Sequence, residues 1–273
     1  METLKIYIRL LRPRQWVKNL FVLAAPFFGG HLFRHSSLGL GLASLAAFSL
    51  CASSNYILND IADRENDAFH PKKKLRPIAA GKISVVRAAM ISVVALLSSL
   101  ALAYWINKEF LYFLVAYFVM QIVYSAYFKK VALVDIFFIS FGFVIRVLSG
   151  GAAFGVKVSN WLFVTMFMVS LVLAAGKRLG EMRLLSGEAA LHRKSLCDVS
   201  EPYLNDVLTI TSAASLIAYA MYTIEQFQDL AYTVPIVTFG LLRYLRLAKN
   251  AKGDPTEALL EDRWLALTVV VWL

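Results

Sequence analysis

Long apolar stretches alternate with shorter polar segments along the whole chain. A helix needs about 20 consecutive apolar residues to cross the hydrocarbon core of a bilayer, and by this measure the pattern predicts about nine membrane-spanning helices. The predicted spans are residues 16–33, 38–58, 83–106, 110–128, 131–154, 162–175, 207–224, 230–247 and 264–273. The sequence therefore predicts an all-α integral membrane protein with one transmembrane domain over residues 1–273 and a last helix that is truncated.

Composition and charge placement agree with this interpretation. Hydrophobic residues make up 59% of the chain and charged residues 17%, whereas a soluble domain carries about 25% charged residues. Threading the spans back and forth places every Lys and Arg on one side except Arg34, Lys108, Arg146 and Lys157. The positive-inside rule makes that side cytoplasmic, so we expect a multi-pass protein of the inner (plasma) membrane with a cytoplasmic N-terminus and active site. Topology explains the net charge of +10 without nucleic-acid binding.

Acidic residues cluster at the end of the second predicted span. If helical turns continue there, Asp60, Asp63 and Asp67 share one face, with Asn55 and Asn59 beside them. Like charges so placed repel each other, and Mg²⁺ relieves this repulsion because it prefers carboxylate and phosphate oxygens as ligands. A solvated polar helix end is the alternative interpretation.

A basic loop follows directly, with the sequence HPKKKLRPIAAG over residues 70–81. Its cations suit phosphate oxygens, and Lys73, Lys74 and Arg76 are the candidate phosphate ligands. Taken alone, the loop also fits a charge cluster that sets membrane topology. Acids that bind a metal followed at once by bases that bind phosphate indicate a diphosphate site.

The pattern Asn-Asp-x-x-Asp-x-x-x-Asp, formed by Asn59, Asp60, Asp63 and Asp67, resembles the first aspartate-rich motif of the UbiA family of prenyltransferases. The resemblance implies nine transmembrane helices around a central cavity and Mg²⁺ that activates a diphosphate leaving group. It implies that Asp60 and Asp63 are the catalytic metal ligands, with Asn59 and Asp67 as further ligands or as their hydrogen-bond partners.

The segment after the sixth span departs from the usual pattern of that family, which has a second Asp-x-x-x-Asp motif there. This chain instead has GKRLGE at 176–181 and HRKSL at 192–196. Together with RPRQWVKN at 12–19 and the basic loop at 70–81, these segments resemble the decaprenyl-phosphate phosphoribosyltransferase branch. The basic replacement favours additional phosphate groups held by Lys and Arg over a second Mg²⁺.

This branch resemblance implies transfer of 5-phosphoribosyl from phosphoribosyl diphosphate to polyprenyl (decaprenyl) phosphate, with release of diphosphate, for the synthesis of cell-wall arabinan precursors. The alternative within the family is transfer of a prenyl group from prenyl diphosphate to an aromatic acceptor. A lipid or ion transporter would need polar residues spread through the membrane interior, and the spans show few. The sequence leaves the oligomeric state open.

The candidate substrate-binding residues are Lys18, Asn55, Lys73, Lys74, Arg76, Tyr124, Lys129, Lys177, Arg178, Glu181, Arg193 and Lys194. Some have an ordinary alternative. Tyr124 and Lys129 also fit an interfacial aromatic with a snorkelling lysine, and Lys18 also fits an anchor to anionic lipid. Lys177 and Glu181, four residues apart, also fit a helix-surface ion pair. Arg146 and Asp135 are excluded from the predicted site.

Overall fold

The computed structural model describes residues 2–32, 37–69, 73–184, 198–226 and 228–272. Within them the α-helices are α1 (Glu2–Leu11), α2 (Ala24–Phe28), α3 (Ser37–Ala62), α4 (Arg64–Phe69), α5 (Val85–Ile106), α6 (Lys108–Ala126), α7 (Val134–Phe154), α8 (Asn160–Leu184), α9 (Glu201–Gln226), α10 (Val234–Lys249), α11 (Pro255–Glu261) and α12 (Arg263–Trp272). Short 3-10 helices are Pro13–Leu23, Lys73–Leu75, Phe128–Lys130 and Gln228–Thr233.

Six of these helices are long and apolar enough to cross a membrane, namely α3, α5, α6, α7, α8 and α9. They confirm six of the predicted spans as helices. The last predicted span corresponds to α12, an apolar helix of ten residues. In the predicted span 16–33, residues 16–23 are 3-10 helix and residues 24–28 are α-helix. In the predicted span 230–247, residues 230–233 are 3-10 helix and residues 234–247 are α-helix, and the count of nine crossings stays a prediction.

The 3-10 conformation increases the length that a given number of residues can span. A 3-10 helix rises about 2.0 Å per residue, whereas an α-helix rises about 1.5 Å. The 11 residues of Pro13–Leu23 followed by the five of α2 therefore have a contour length of about 30 Å. A segment with fewer residues than a standard transmembrane helix thus has the contour length of the bilayer core.

The chain divides into two compact units. Unit 1 consists of Met1–Ser125 and Ile145–Lys157, and unit 2 consists of Ala126–Val144 and Val158–Leu273. The family resemblance predicts a single transmembrane domain. The division into compact units does not test this, so the single domain stays a prediction.

In unit 1, α3 packs against α5 through small residues. The buried residues of α5 are all Ala or Ser: Ala88, Ser92, Ala95, Ser99 and Ala103. The hydroxyl oxygens of Ser54 and Ser92 lie 2.9 Å apart, and the Ser99 hydroxyl donates to the Ala47 carbonyl oxygen over 2.7 Å. Small side chains let helix backbones approach closely where lipid supplies no hydrophobic driving force, so packing and hydrogen bonds hold this pair together.

The 3-10 segment of unit 1 packs directly on the second half of α7. A Cβ atom added to Gly150 would lie 1.7 Å from the carbonyl oxygen of Val22, so glycine is required at this contact. Arg146, one turn earlier on α7, is buried and donates from Nε to Asn19 Oδ1 over 2.9 Å and from Nη2 to the Tyr117 hydroxyl over 2.8 Å. These bonds give a buried guanidinium polar partners inside unit 1.

The N-terminal helix α1 anchors the beginning of the chain on the end of α3. Leu10 is fully buried in an apolar cluster with Ile57, Ile78, Ile83 and Ala88. This cluster joins α1, α3, α5 and the loop between α4 and α5. The residues directly after α1 are consequently held beside the acidic end of α3.

In unit 2, α8 packs against α9 and against the loop that follows α10. The apolar cluster includes Leu171, Leu179, Leu204, Leu208 and Tyr244. The Tyr244 hydroxyl lies within hydrogen-bond distance of two carbonyl oxygens, that of Leu173 at 3.1 Å and that of Gly253 at 2.8 Å. These contacts fix the loop after α10 on α8, the helix that carries the basic sequence GKRLGE.

Candidate functional site

Helical turns continue from the end of α3 through α4. The backbone N–H of Asp63 donates to the Asn59 carbonyl oxygen over 2.9 Å, and the N–H of Asp67 donates to the Asp63 carbonyl oxygen over 2.8 Å. Asp60, Asp63 and Asp67 therefore follow one another at helical spacing, as the sequence predicted. Asp60 and Asp67 are buried, whereas Asn59 and Asp63 are half-buried.

Two guanidinium groups meet the buried carboxylates. Nη2 of Arg12 donates to Asp60 Oδ1, and Nη1 of Arg76 donates to the same oxygen over 3.0 Å. Nη1 of Arg76 also donates to Asp67 Oδ2. Two carboxylates and two guanidiniums are thus paired here, and the guanidiniums give Asp60, with only 2% of its side chain exposed, charged hydrogen-bond partners.

Asn55 adds an unused acceptor to this part of unit 1. It lies on α3 one turn before Asn59 and is 8% exposed, and its Oδ1 has no hydrogen-bond partner. Its Nδ2 donates to the Cys51 carbonyl oxygen over 3.4 Å. A buried acceptor without a donor is rare in folded proteins and indicates a position where a ligand or water supplies the donor.

The side chains of the acidic cluster provide only part of the ligands that Mg²⁺ needs. Among the residues that the structure describes, no group of three His, Cys, Asp or Glu side chains stands close enough to hold a metal ion. Mg²⁺ bound together with a substrate needs fewer protein ligands, because it takes one or two carboxylates and completes its shell with phosphate oxygens and water. Asp60 and a second acid of the cluster are sufficient for such a site.

The three candidate cations of the basic loop differ in exposure and in contacts. Arg76 is 24% exposed and contacts the acids, Lys73 is half-buried and Lys74 is exposed. The Arg76 N–H donates to the Lys73 carbonyl oxygen over 2.9 Å, and the loop turns back at Gly81, where φ is +67°. Residues 70–72 of this loop lie outside the described part of the chain.

The other candidates of unit 1 lie in separate elements. Lys18 is in the 3-10 helix Pro13–Leu23, and its Nζ donates to Gln15 Oε1 over 2.6 Å. Tyr124 is half-buried near the end of α6. Neither position decides between the substrate-binding role and the interfacial role, so both assignments stay predictions.

In unit 2, the basic segment after the sixth predicted span is the last part of α8. Arg178 is 2% exposed, and it donates from Nε to Asp135 Oδ2 over 2.6 Å and from Nη1 to Glu181 Oε2 over 2.7 Å. Nζ of Lys177 lies 3.1 Å from Asp254 Oδ2. Lys129 is half-buried in the 3-10 helix Phe128–Lys130. Arg193 and Lys194 lie outside the described residues.

Arg12 and Asp135 were not assigned to the site from the sequence. Arg12 lies in the segment 12–19 that carries part of the family resemblance, yet only its contact with Asp60, 48 positions away, shows what it does. Asp135 was excluded from the predicted site, and the structure shows that it is a buried partner of Arg178. A cue for both was available: ionisable residues beside an apolar span usually have a partner.

The sequence matches the model of the UbiA prenyltransferase family over residues 20–267. The decaprenyl-phosphate phosphoribosyltransferase of Mycobacterium tuberculosis (strain CDC 1551 / Oshkosh) is 35% identical over 275 residues, which cover 97% of this chain and 91% of that protein. The protein of the same name from Mycolicibacterium smegmatis is 33% identical over 284 residues, which cover 97% of this chain and 89% of that protein.

A solved structure has the same architecture. The structure of a UbiA homolog from Archaeoglobus fulgidus bound to GPP and Mg²⁺ superposes with a TM-score of 0.76 and 21% sequence identity, covering 98% of this chain and 99% of that chain. This likeness confirms the predicted all-α, UbiA-like fold.

Proposed function

Because the chain belongs to the UbiA prenyltransferase family, we propose that it transfers a 5-phosphoribosyl group from phosphoribosyl diphosphate to a polyprenyl phosphate, decaprenyl phosphate in the first instance, and releases diphosphate. The observation that carries the proposal is the identity of 33% and 35% with two decaprenyl-phosphate phosphoribosyltransferases over 97% of this chain. The product would serve the synthesis of cell-wall arabinan precursors.

The acidic end of α3 is the proposed site for the diphosphate of the donor. Asp60 and Asp63 would hold Mg²⁺, with Asn59 and Asp67 as further ligands or as groups that orient them. The chemistry that Mg²⁺ supplies there is neutralisation of charge on the diphosphate leaving group. The Mg²⁺ bound to the Archaeoglobus fulgidus homolog supports Mg²⁺ as the metal of the proposed site.

The guanidinium groups of unit 1 suit the same ligand. Arg76 lies between Asp60 and Asp67, and an arginine fork matches two phosphate oxygens at once. Lys73 and Lys74 extend the positive charge along the loop. These residues would bind and orient the diphosphate so that the bond between its oxygen and ribose C1 can break.

The acceptor places few demands on proton transfer. In the proposed reaction, an anionic oxygen of the lipid phosphate forms a bond to ribose C1 while the bond from C1 to the diphosphate oxygen breaks, and the bonding electrons leave with diphosphate. The attacking oxygen carries no proton, so no general base is needed. Positioning and electrostatic stabilisation then account for most of the rate enhancement.

The 5-phosphate of the donor needs cations apart from the metal. The candidates that the sequence offers are Lys18, Lys129, Lys177, Arg193 and Lys194. The buried Arg178 and its partner Glu181 are proposed to act with them by fixing the end of α8.

The excess of Lys and Arg on one side of the predicted spans supports an inner-membrane protein whose N-terminus and active site are cytoplasmic.

The test is transfer of radiolabel by the purified protein in detergent. Labelled phosphoribosyl diphosphate, decaprenyl phosphate and Mg²⁺ are incubated with the protein, and label is counted in the lipid phase. We expect label in the lipid phase that depends on both the lipid and Mg²⁺. A folded preparation that transfers no phosphoribosyl, but joins a labelled prenyl diphosphate to an aromatic acceptor, would replace this proposal with prenyl transfer.

A further inference from the structure

One carboxylate oxygen of the acidic cluster already has two cationic partners. Asp60 Oδ1 accepts hydrogen bonds from Arg12 and from Arg76. A metal ion that takes Asp60 as a ligand requires electron density from the same carboxylate. Both guanidinium contacts are made to Oδ1, so a metal ion on this carboxylate would share its negative charge with two cations that repel the metal. Metal binding and the guanidinium contacts therefore oppose each other at Asp60.

Arg12 is held at this position by the fold around it. Its backbone is in the left-handed region, with φ +54° and ψ +57°, directly before Pro13. Residues other than Gly, Asn and Asp rarely adopt this conformation, and a following proline restricts the backbone further. Such a conformation persists when its surroundings determine it.

Those surroundings are contacts with α3 on either side of Arg12. The Ser53 hydroxyl donates to the Leu11 carbonyl oxygen over 2.8 Å, and the Trp16 indole N–H donates to Ser53 Oγ over 3.0 Å. Leu10 is fully buried against Ile57 and its neighbours. The backbone at residue 12 is thus fixed while its side chain, 22% exposed, reaches the acidic cluster.

The aromatic ring of Tyr56 offers the guanidinium a second contact. The Cζ atom of Arg12 lies 5.3 Å from the centre of that ring, within the range of a cation–π interaction. Tyr56 and Asp60 are one helical turn apart on α3. Arg12 can therefore leave the carboxylate and keep an attractive contact.

We propose that Arg12 occupies Asp60 in the absence of metal, yields it when the Mg²⁺ site fills, and then donates to a phosphate oxygen of the bound diphosphate. This inference rests on the proposed metal site at Asp60. Arg12 is thus a substrate-positioning residue whose resting contact keeps a buried carboxylate neutralised.

Arg12 is the partner that is more easily displaced from Asp60, because Arg76 also contacts a second carboxylate. Arg76 contacts both Asp60 and Asp67, so it retains Asp67 when Asp60 is taken. Within the described ranges, Asp60 is the one carboxylate that Arg12 contacts. Displacement of Arg12 consequently frees its whole guanidinium for a phosphate.

The two possible roles of Arg12 predict opposite changes in metal affinity when its side chain is removed. If Arg12 competes with the metal, its removal strengthens metal binding in the absence of substrate. If it only holds the site together, its removal weakens metal binding. The two accounts therefore separate in a measurement that needs no catalysis.

The experiment measures Mn²⁺ binding to the purified, substrate-free protein by electron paramagnetic resonance. Arg12→Asn removes the cation while placing a residue that tolerates the left-handed backbone. Arg9→Gln is the matched control, since Arg9 is exposed on α1 and its loss changes the net charge equally. Asp60→Asn identifies the signal of this site.

We expect Arg12→Asn to bind Mn²⁺ about tenfold more tightly than wild type, because a unit charge is removed a few ångströms from the metal. Arg9→Gln should stay within about twofold, because exposed charges farther away are screened. Asp60→Asn should lose the site. The KM for phosphoribosyl diphosphate should rise about tenfold in Arg12→Asn, through loss of a charged phosphate contact.

Unchanged or weaker Mn²⁺ binding in Arg12→Asn overturns the inference and leaves the proposed reaction intact. Mn²⁺ binding that survives Asp60→Asn overturns both the inference and the metal assignment, whereas the reaction itself is judged by the label-transfer assay. If Arg12→Asn does not fold, Arg12→Gln decides: it also removes the charge while keeping most of the length of the side chain, so tighter Mn²⁺ binding supports the inference and equal or weaker binding overturns it.

Discussion

Nε of Arg178 donates to Asp135 Oδ2 over 2.6 Å, and both side chains are only 2% exposed. Arg178 lies in the basic segment of α8, and Asp135 is the second residue of α7, so a buried ion pair joins these two helices within unit 2. Glu181 completes the group as a second carboxylate on Arg178. The stability of unit 2 depends on this pair whatever the substrate does.

Removal of Arg178 should destabilise the protein severely. In Arg178→Met the buried Asp135 carboxylate loses the guanidinium that donates to it, and breaking a buried ion pair from one side costs about 3–5 kcal/mol. Arg183→Met is the control, because its pair with Glu201 is 30% and 42% exposed and exposed pairs contribute about 0–1 kcal/mol. The measurement is the thermal unfolding midpoint in detergent. A normal midpoint combined with a raised KM would make Arg178 a substrate ligand without a structural role.

Asp60 and Asp63 should each be essential for turnover. Asp60→Asn or Asp63→Asn removes a negative charge from the proposed metal site, and we expect label transfer to fall by about 100-fold or more, as when a group that stabilises transition-state charge is removed. Glu65→Gln is the control, since Glu65 is 84% exposed and pairs only with the neighbouring Arg64 among the described contacts. Near-normal turnover of a folded Asp60→Asn protein would exclude this metal assignment.

Gly150→Ala should disrupt the contact between α7 and the 3-10 segment of unit 1. The added methyl group would lie 1.7 Å from the Val22 carbonyl oxygen, and overpacking of this kind costs about 1–3 kcal/mol. Gly39→Ala introduces the same change in α3 with nothing within 4 Å, and helix propensity favours it by up to about 1 kcal/mol. Thermal midpoints should therefore move in opposite directions. Equal midpoints would mean that the chain relaxes around the contact freely.

The stability contribution of Asp262 should persist to low pH. Hydrogen bonds from Arg243 lower the pKa of the Asp262 carboxyl from 3.8 to about 2. Because the folded pKa lies below the unfolded one, the stabilisation is complete above about pH 4 and is lost as pH falls towards 2. The difference in thermal midpoint between wild type and Asp262→Asn should be constant from pH 7 to pH 5 and shrink only below pH 4. A difference that vanishes between pH 6 and 5 would contradict the lowered pKa.

Apolar runs were sufficient to predict most helices of this chain. The six long helices follow from the length and composition of each run, which are local properties. The 3-10 form of Pro13–Leu23 did not follow, because an apolar run does not distinguish a 3-10 helix from an α-helix. Its contact with Gly150, far apart in the sequence, did not follow either. The helix α1 was not predicted either, since its ten residues are too few for a crossing.

The candidate site was predictable as a set of residue types and not as a set of contacts. Spacing puts Asp60, Asp63 and Asp67 on one face if helical turns continue past α3, and the backbone hydrogen bonds show that the turns do continue. Spacing could not reveal that Arg12 and Arg76 share an oxygen of Asp60, because such pairing depends on how α1 and the loop fold back on α3. Long-range electrostatics is decided by tertiary structure.

The small-residue surface of α5 reverses the usual relation between size and burial. The buried residues of α5 are all Ala or Ser, whereas Val86, Met90, Val94, Leu97 and Trp105 are exposed on its outer side. If the most hydrophobic face of α5 were assumed to pack against the protein, the helix would be placed with the wrong face inward. In the course of evolution, the outer face is free to exchange one bulky lipophilic residue for another, whereas the inner face tolerates no increase in volume. Variation along α5 should therefore be greatest where the helix is most hydrophobic.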